Sequence, residues 1–524
     1  MWTTGWRESV WSGIRGPWDL IVVGGGITGA GILRESARAG LRALLVEADD
    51  FASGTSSRSS KMVHGGLRYL SSLNIKLTME SVRERECLLA EGGGLIEPLE
   101  SIIASYAGDR MPAWVVSAAL TVYDLLALRW RHRHYPPARV KDLCPSINAD
   151  GMVGGYGFFD AWTDDARLVL RVIREAVRAG GTALSYAPVE GLVRDRAGRV
   201  CGVQLRDKIR GRETEVLAPV VISATGAWAD TLRAHLDAKP RLRPLRGSHL
   251  FFPRERLPLT QWISFLHPAD ARPVFAYPWE GVTLLGTTDV DQGPDVPRDP
   301  QLSSREVAYL MQAATYAFKP LDLTESDVQS TMSGVRPVVD SGQADPSKES
   351  REFVLWDESG LLTVTGGKLT TFRVMAVEAL RSVRRRLPGG TKFRRGERVL
   401  DSAAAEILGG LDPVTRTRLA GRYGVEAGEL VAAARDGELT TIGATPALWA
   451  ELRWAARAEG VVHLDDLLLR RVRLGILAPQ GGLPLANQIR AVVQPELGWD
   501  DARWQAEWDI YWRLRQQCYC LGGR

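Results

Sequence analysis

The 524-residue sequence predicts an α/β fold in which one nucleotide-type domain is interrupted by sheet-rich insertions and followed by helices. Three observations carry that prediction. The apolar run Leu20-Ile21-Val22-Val23 leads straight into Gly24-Gly25-Gly26-Ile27-Thr28-Gly29. Two more glycine-bearing strand ends follow far downstream, at Thr225-Gly226 and Gly366-Gly367, with strand-like alternation between them. From Asp401 to the C-terminus the apolar pattern turns mostly helical. Together they describe a Rossmann-like domain, an antiparallel-sheet substrate domain and a C-terminal helical domain.

The first element is a strand buried on both faces, as an unbroken apolar run implies. Gly24, Gly26 and Gly29 fit G-x-G-x-x-G: the first permits the tight turn, the second lets a pyrophosphate approach the backbone, and the third lets helix and strand pack closely. The helix expected over 28–39 points its N-terminal N–H groups and positive dipole end at those phosphates, and Gly40 ends it. The next strand, Arg42 to Val46, stops at Glu47, about 20 residues past the glycines, where a ribose 2′-OH is expected. An acidic residue there disfavours a 2′-phosphate and leaves NAD and FAD open.

Beyond Glu47 the segment Phe51 to Lys61 is too polar for core. Thr55, Ser56, Ser57 and Ser60 offer hydroxyl donors to a pyrophosphate or ring oxygens, the alternative being a solvated turn. A helix with alternating charge is expected over 75–91. The apolar stretch Trp114 to Leu128 is broken by Asp124 and falls short of the roughly 20 residues a membrane span needs. An amphipathic helix follows Asp164, over 165–179, and stops at Gly180-Gly181. Val189 to Leu217 reads as a β-meander, Val220 to Trp228 as a buried strand ending in small residues, and 241–332 as antiparallel sheet with prolines at the breaks. The strand Gly360 to Thr365 runs into Gly366-Gly367 and a helix over 370–387. The charged loop 388–398 separates the remainder. The implied units are a discontinuous nucleotide domain (17–100, 151–240 and 333–387), a substrate or cap domain (101–150 and 241–332) and a helical domain (400–520). Ligand-contacting segments spread so widely suit a large buried cofactor such as FAD better than NAD.

Composition is that of a soluble globular protein, 45% apolar and 24% charged. The net charge of +4 mildly favours anionic partners without indicating nucleic acid. Five scattered cysteines suit a reducing cytoplasm better than a disulfide framework, and Cys518-x-Cys520 lacks the neighbours of a metal site, so no metal is expected. No signal peptide is visible in the tryptophan-rich stretch Met1 to Pro17.

These motifs in this order resemble the FAD-dependent glycerol-3-phosphate dehydrogenases of the aerobic, quinone-linked type. The resemblance spans nearly the whole chain. It rests on the glycine turn, Thr55-Ser56-Ser57 through Ser60-Lys61, His64-Gly65-Gly66-Leu67-Arg68-Tyr69-Leu70, Asp164-Asp165-Ala166-Arg167-Leu168 and Ala224 to Trp228. It continues through Arg246-Gly247-Ser248-His249, Leu285-Gly286-Thr287-Thr288-Asp289, Ser333-Gly334-Val335-Arg336-Pro337, Gly366 to Thr371 and, in the tail, Asp465 to Arg471. The longer N-terminal extension and a diverged tail are departures. An insertion typical of the related oxidases has no clear counterpart. The fold so implied is of the glutathione-reductase or D-amino-acid-oxidase kind.

What the resemblance implies is oxidation of sn-glycerol 3-phosphate to dihydroxyacetone phosphate, with a hydride passing from C2 to flavin. Cofactor contacts fall on Gly24, Gly26, Ile27, Thr28, Gly29 and Glu47; on Thr55, Ser56, Ser57, Ser60 and Lys61; on Gly65, Gly66 and Leu67; and on Thr225, Gly226, Gly366, Gly367, Lys368, Leu369 and Thr370. A phosphate dianion needs fixed cations, and arginine offers a bidentate fork that lysine lacks. Arg336 is expected beside the substrate oxygens, Arg68 and Arg351 at the phosphate, and Lys368 close to the flavin. For a proton acceptor, histidine has the right intrinsic pKa: His249 and His64 stand in motifs, while Thr288-Asp289 offers a carboxylate instead.

Quinone is the acceptor in that family, so a peripheral contact with the inner face of the cell membrane is expected of a cytoplasmic protein, and a homodimer is a further expected partner. Two segments compete for the membrane, each with a simpler explanation: the Trp504, Trp508, Trp512 stripe, which core packing explains more readily, and the basic run Arg129 to Arg133, which a solvated loop explains more readily. The competing activity is an oxygen-dependent flavin oxidase acting on a glycerol phosphate or an amino acid.

Overall fold

The computed structural model describes residues 2–67, 75–109, 113–127, 132–343, 349, 352–393, 397–402 and 408–522. Two sheets organise them. The first has six strands in the spatial order Phe353–Glu358, Leu361–Gly366, Val221–Ser223, Leu20–Val23, Ala43–Val46, Thr182–Leu184. All its pairings are parallel except the edge hairpin 353–366. Successive residues of Leu20–Val23 face opposite ways, and both faces are covered. Leu20 and Val22 pack with Ile32, Leu33, Val169 and Ile173 of the helices Ile27–Arg38 and Asp165–Arg178. Ile21 and Val23 pack with Val203, Leu205 and Val216 of the meander Val189–Arg194, Val200–Asp207, Arg212–Leu217. Each such side chain, fully buried, contributes about 1.5–3 kcal/mol, which is why this strand carries no polar residue.

The second sheet has ten strands: eight in the order Val290–Asp291, Leu242–Pro253, Val282–Gly286, Pro273–Trp279, Trp262–Leu266, Ile96–Tyr106, Met152–Thr163, Met62–Val63, with Ser330–Val339 pairing 242–253 and Arg133–Tyr135 pairing 152–163. One of its cores meets the helix Ser304–Ala317, through Leu250, Phe252, Ile263 and Leu310. Another meets the helical domain, through Phe251, Tyr277, Trp279 and Met332 against Leu467, Leu468 and Tyr511.

Several expectations need correction here. The strands Met152–Thr163 and Ser330–Val339, and the start of Ile96–Tyr106, belong to the second sheet and not to the nucleotide domain, so boundaries at 100 and 333 cut through strands and the one at 151 puts a whole strand in the wrong unit. Sheet membership depends on a partner distant in sequence, which local alternation cannot reveal. The span 241–332 is not sheet throughout: Ser304–Ala317 is a helix, opened by a capping box in which Ser303 Oγ accepts from the Glu306 N–H and the Glu306 carboxylate accepts from the Ser303 N–H. That S-x-x-E signal was present in the sequence. The tryptophan stripe lies on the helix Asp501–Cys518, where Trp504 is buried, Trp508 stacks on it at 6.0 Å, and Arg515 covers Trp512. Core packing accounts for it. Among the described residues no helix is long and apolar enough to cross a membrane.

Candidate functional site

A cleft with an empty volume of about 1640 Å3, partly open to solvent, lies beyond the carboxyl ends of the strands Leu20–Val23, Ala43–Val46, Val221–Ser223 and Leu361–Gly366. This is where an open parallel sheet binds ligands. Gly24 has φ +111°, and a Cβ there would lie 2.5 Å from the Ala224 carbonyl oxygen. A Cβ on Gly29 would lie 1.9 Å from the Gly24 oxygen, so that glycine lets the helix start against the strand and does not line the cleft. Gly26, Ile27 and Thr28 do line it, at the N-terminus of the helix Ile27–Arg38. The hydroxyl segment crosses above: the Ile27 N–H donates to Ser56 Oγ at 2.9 Å, and Thr55 Oγ donates to the Val335 carbonyl at 2.6 Å.

Glu47 closes one end. Its carboxylate accepts from the N–H groups of Gly25 (2.6 Å) and Asp49 (2.9 Å), yet desolvation outweighs those bonds and pushes its pKa up to about 7. Thr225, Gly226, Gly366, Gly367, Lys368 and Leu369 line the other side. Gly366 and Gly367 take φ +77° and +73°, and a Cβ on the second would meet the Met375 sulfur at 2.5 Å. A carboxylate for a ribose, a helix N-terminus for a pyrophosphate and a continuation past it to a lysine are the features a flavin dinucleotide requires.

The second sheet carries the remaining chemistry on a face packed under the hydroxyl segment, and Arg336, His249, Ser60 and Asp289 do not themselves line the cleft. Directly opposed residues share a face, and Leu245 is opposite Arg336, Gly247 opposite Gly334 and His249 opposite Met332. Arg336 and His249 therefore project the same way, separated by two glycines. A Cβ on Gly247 would lie 2.3 Å from the Arg336 guanidinium, and one on Gly334 would lie 2.4 Å from the Arg58 carbonyl. The bare patch thus admits both the guanidinium and the hydroxyl segment. Arg336 Nη1 donates to Asp289 Oδ1 at 2.8 Å and Nη2 to Thr287 Oγ at 3.0 Å. His249 is 1% exposed, and its Nε2 pairs with Ser60 Oγ at 2.9 Å. Burial, reinforced by the positive charges of Arg336 and Lys61, holds the imidazole well below its ordinary pKa, so it is neutral. Lys368 Nζ donates to Ser81 Oγ at 2.9 Å.

Some expected site residues sit elsewhere. Lys61 is fully buried and donates to Asp165 and to the Ser57 carbonyl, both at 2.8 Å, with desolvation lowering its pKa to about 8; it does not face the cleft. Thr288 is 2% exposed, and its hydroxyl donates to Glu306 at 2.8 Å while accepting from the Ser248 N–H, a structural role. Asp289 is the ion-pair partner that orients Arg336. Ser57 is buried, bonding to the Gly54 carbonyl, and Thr370 Oγ donates to the carbonyl of the half-buried His64. Gly65 packs on Tyr123, and neither it nor Gly66 nor Leu67 lines the cleft. Arg68 and Arg351, like Arg129, lie outside the described residues. Sequence reasoning missed Ser59, Asp49, Trp228, His235 and Arg298, which do line the cleft. Trp228 was within a quoted motif. Arg298 lies in a proline-flanked loop with no signal of its own, fixed by the bond from Trp228 Nε1 to the Val296 carbonyl at 3.1 Å.

Comparison with known proteins agrees with this geometry. A family model described as FAD dependent oxidoreductase matches residues 19–373, and one described as C-terminal domain of alpha-glycerophosphate oxidase matches 381–504. The chain is 34% identical over 507 residues to a glycerol-3-phosphate dehydrogenase of Mycobacterium leprae, covering 92% of this chain and 85% of that one. It is 32% identical over 493 residues to the aerobic glycerol-3-phosphate dehydrogenase of Staphylococcus aureus, covering 89% and 88%. The solved glycerol-3-phosphate dehydrogenase of Bacillus halodurans, complexed with FAD, superposes with a TM-score of 0.78 at 27% identity over 98% of both chains. At 16% identity and a TM-score of 0.58, an FAD-bound glycerophosphate oxidase from Mycoplasma pneumoniae shares the fold over 72% of this chain and 97% of its own. A cleft lined by a buried carboxylate, a glycine turn and a lysine-bearing far wall, in a chain matched over nine-tenths of its length by such relatives, places this protein in the family of FAD-dependent glycerol-3-phosphate dehydrogenases.

Proposed function

We propose that the chain oxidises sn-glycerol 3-phosphate to dihydroxyacetone phosphate and passes the electrons to a quinone at the inner face of the cell membrane. The observation that carries the reading is the shared sheet face on which the oriented Arg336 fork stands beside a neutral, desolvated His249. FAD, when bound, supplies the two-electron acceptor. Arg336, aimed by Asp289 and Thr287, holds a substrate oxygen, and Lys368 adds a second cation to the anion site. His249, its Nε2 paired with Ser60 Oγ, takes the proton of the C2 hydroxyl through that serine hydroxyl, which passes its own proton to Nε2 as it accepts the substrate's, and the neutral imidazole is ready for that task. The hydroxyl segment covers the sheet and excludes water from this face.

Contact with the membrane is assigned to the helix Ala113–Ala127. It leaves Val122 40% and Leu125 60% exposed, and the following segment is basic. An apolar face beside basic residues suits the surface of an anionic bilayer. The second reading, an oxygen-using oxidase, draws on the tail domain's likeness to that of alpha-glycerophosphate oxidase. Anaerobic mixing of the holoenzyme with glycerol 3-phosphate tests the oxidation: the flavin should bleach at saturating substrate, and an unbleached spectrum would refute it. In air, reduction of a quinone analogue without hydrogen peroxide supports the dehydrogenase, whereas stoichiometric peroxide supports the oxidase.

A further inference from the structure

Among the described residues the C-terminal domain contributes nothing that lines the cleft, yet three of its arginines, buried to within 2% of complete, end on the segments that do. They belong to the turn 467–473. Arg471 places Nη1 at 2.5 Å and Nη2 at 2.8 Å from the two oxygens of Asp50, and Arg470 Nε reaches the same carboxylate. Asp50 follows Glu47, Ala48 and Asp49, all lining the cleft. Arg473, in the left-handed region at φ +60°, donates through Nη1 to the Ser57 carbonyl at 3.1 Å and through Nη2 to Asp164 and Asp165. Asp165 in turn accepts from the Ser59 N–H (3.0 Å) and Ser59 Oγ (2.7 Å). Ser59 lines the cleft, and its neighbour Ser60 carries the bond to His249.

Buried ion pairs cost heavily in desolvation and stabilise no better than apolar packing of the same volume. What they add is direction. A forked cation fixed at both ends allows one register of the segment it holds. We propose that Arg473 is a positioning residue for the oxidation site: through Asp165 it sets the placement of Ser59 and Ser60, and so of His249, against the cofactor, while Arg470 and Arg471 hold the Glu47 end through Asp50. For its catalytic consequence this rests on the function proposed above; for cofactor geometry it does not.

The test uses FAD-loaded wild type, Arg473→Lys, Ser59→Ala and the double variant. Arg473→Lys keeps the charge and loses the fork. It should retain FAD, shift the visible circular dichroism of the bound flavin, and lower kcat per bound flavin by about tenfold or more, since misplacements near 1 Å cost that much. In the Ser59→Ala background the same change should do less, because the Oγ link to Asp165 is gone and only the Ser59 N–H bond and the Ser57 carbonyl contact still carry the coupling. An unaltered flavin spectrum and unaltered kcat per bound flavin, with only the melting temperature lowered, would show Arg473 to be structural and overturn the proposal. So would fully additive effects in the double variant. Should Arg473→Lys not fold, Asp165→Asn takes its place in the cycle under the same criteria. A wild type that is yellow but unreduced by glycerol 3-phosphate refutes the function alone, and the spectral arm still decides the positioning.

Discussion

Arg336 shows how much of a role is settled by neighbours. The side chain is 21% exposed, its fork directed by Asp289 on one nitrogen and Thr287 on the other. Arg336→Lys should keep the yellow colour, because nothing in the cofactor cradle changes, and lower kcat/KM about a hundredfold or more, the usual cost of removing an aimed donor. Steady-state assays on FAD-saturated protein check this. Glu47 yields a pH prediction. Desolvation raises its pKa to about 7 in the folded protein, so between the unfolded value and 7 the folded state binds the extra proton, and the unliganded protein loses stability as pH rises through that window. On the proposed function, a ribose hydroxyl of FAD would donate to the charged carboxylate. FAD affinity should therefore rise with pH up to about 7, by at most about tenfold per unit, and level off above. Titrating apoprotein with FAD at pH 6, 7 and 8 measures it, and Glu47→Gln should flatten the dependence.

Among elements, the paired strands Leu242–Pro253 and Ser330–Val339 matter most to the site. Their opposed glycines, Gly247 and Gly334, create a gap that side chains would fill. Gly247→Ala puts a methyl 2.3 Å from the guanidinium of Arg336, the movable end of a long side chain. The fold should absorb it with little change in melting temperature or FAD content, while turnover falls about tenfold or more through misplacement of the fork. Equal turnover would mean that Arg336 is not where the substrate binds. The glycine turn works in the opposite way. Gly24 and Gly29 meet backbone atoms, which cannot yield, so the strand–turn–helix unit was legible from spacing alone.

On the scale of the whole molecule, charge ties the domains together. Arg167, 1% exposed, forms a bidentate pair with Glu459 of the helical domain, and its guanidinium sits 4.5 Å from the Tyr423 ring centroid. Glu459→Gln leaves that cation uncompensated in the interior and should cost about 3–5 kcal/mol, seen as a lower midpoint in urea for both domains together. The tryptophan-rich N-terminus joins the same seam: Trp2 stacks on Phe51 at 5.0 Å, and its N–H donates to the Ala458 carbonyl.

The sequence by itself determined the glycine turn, the carboxylate at the end of the second strand, the scatter of the first sheet over distant segments and, through the order of its motifs, the family. These are local patterns, because a tight turn or a doubly covered strand imposes its demands on adjacent residues. Only the tertiary structure decided that Lys61 and Thr288 are consumed by buried partners, that Asp289 orients Arg336, and that Met152–Thr163 and Ser330–Val339 join the substrate sheet. It alone brought the arginines of the turn 467–473 behind the cofactor segments. The physical reason is that the fate of a charge, and the sheet a strand joins, depend on which distant group shares its desolvated space, and separation along the chain carries no record of that.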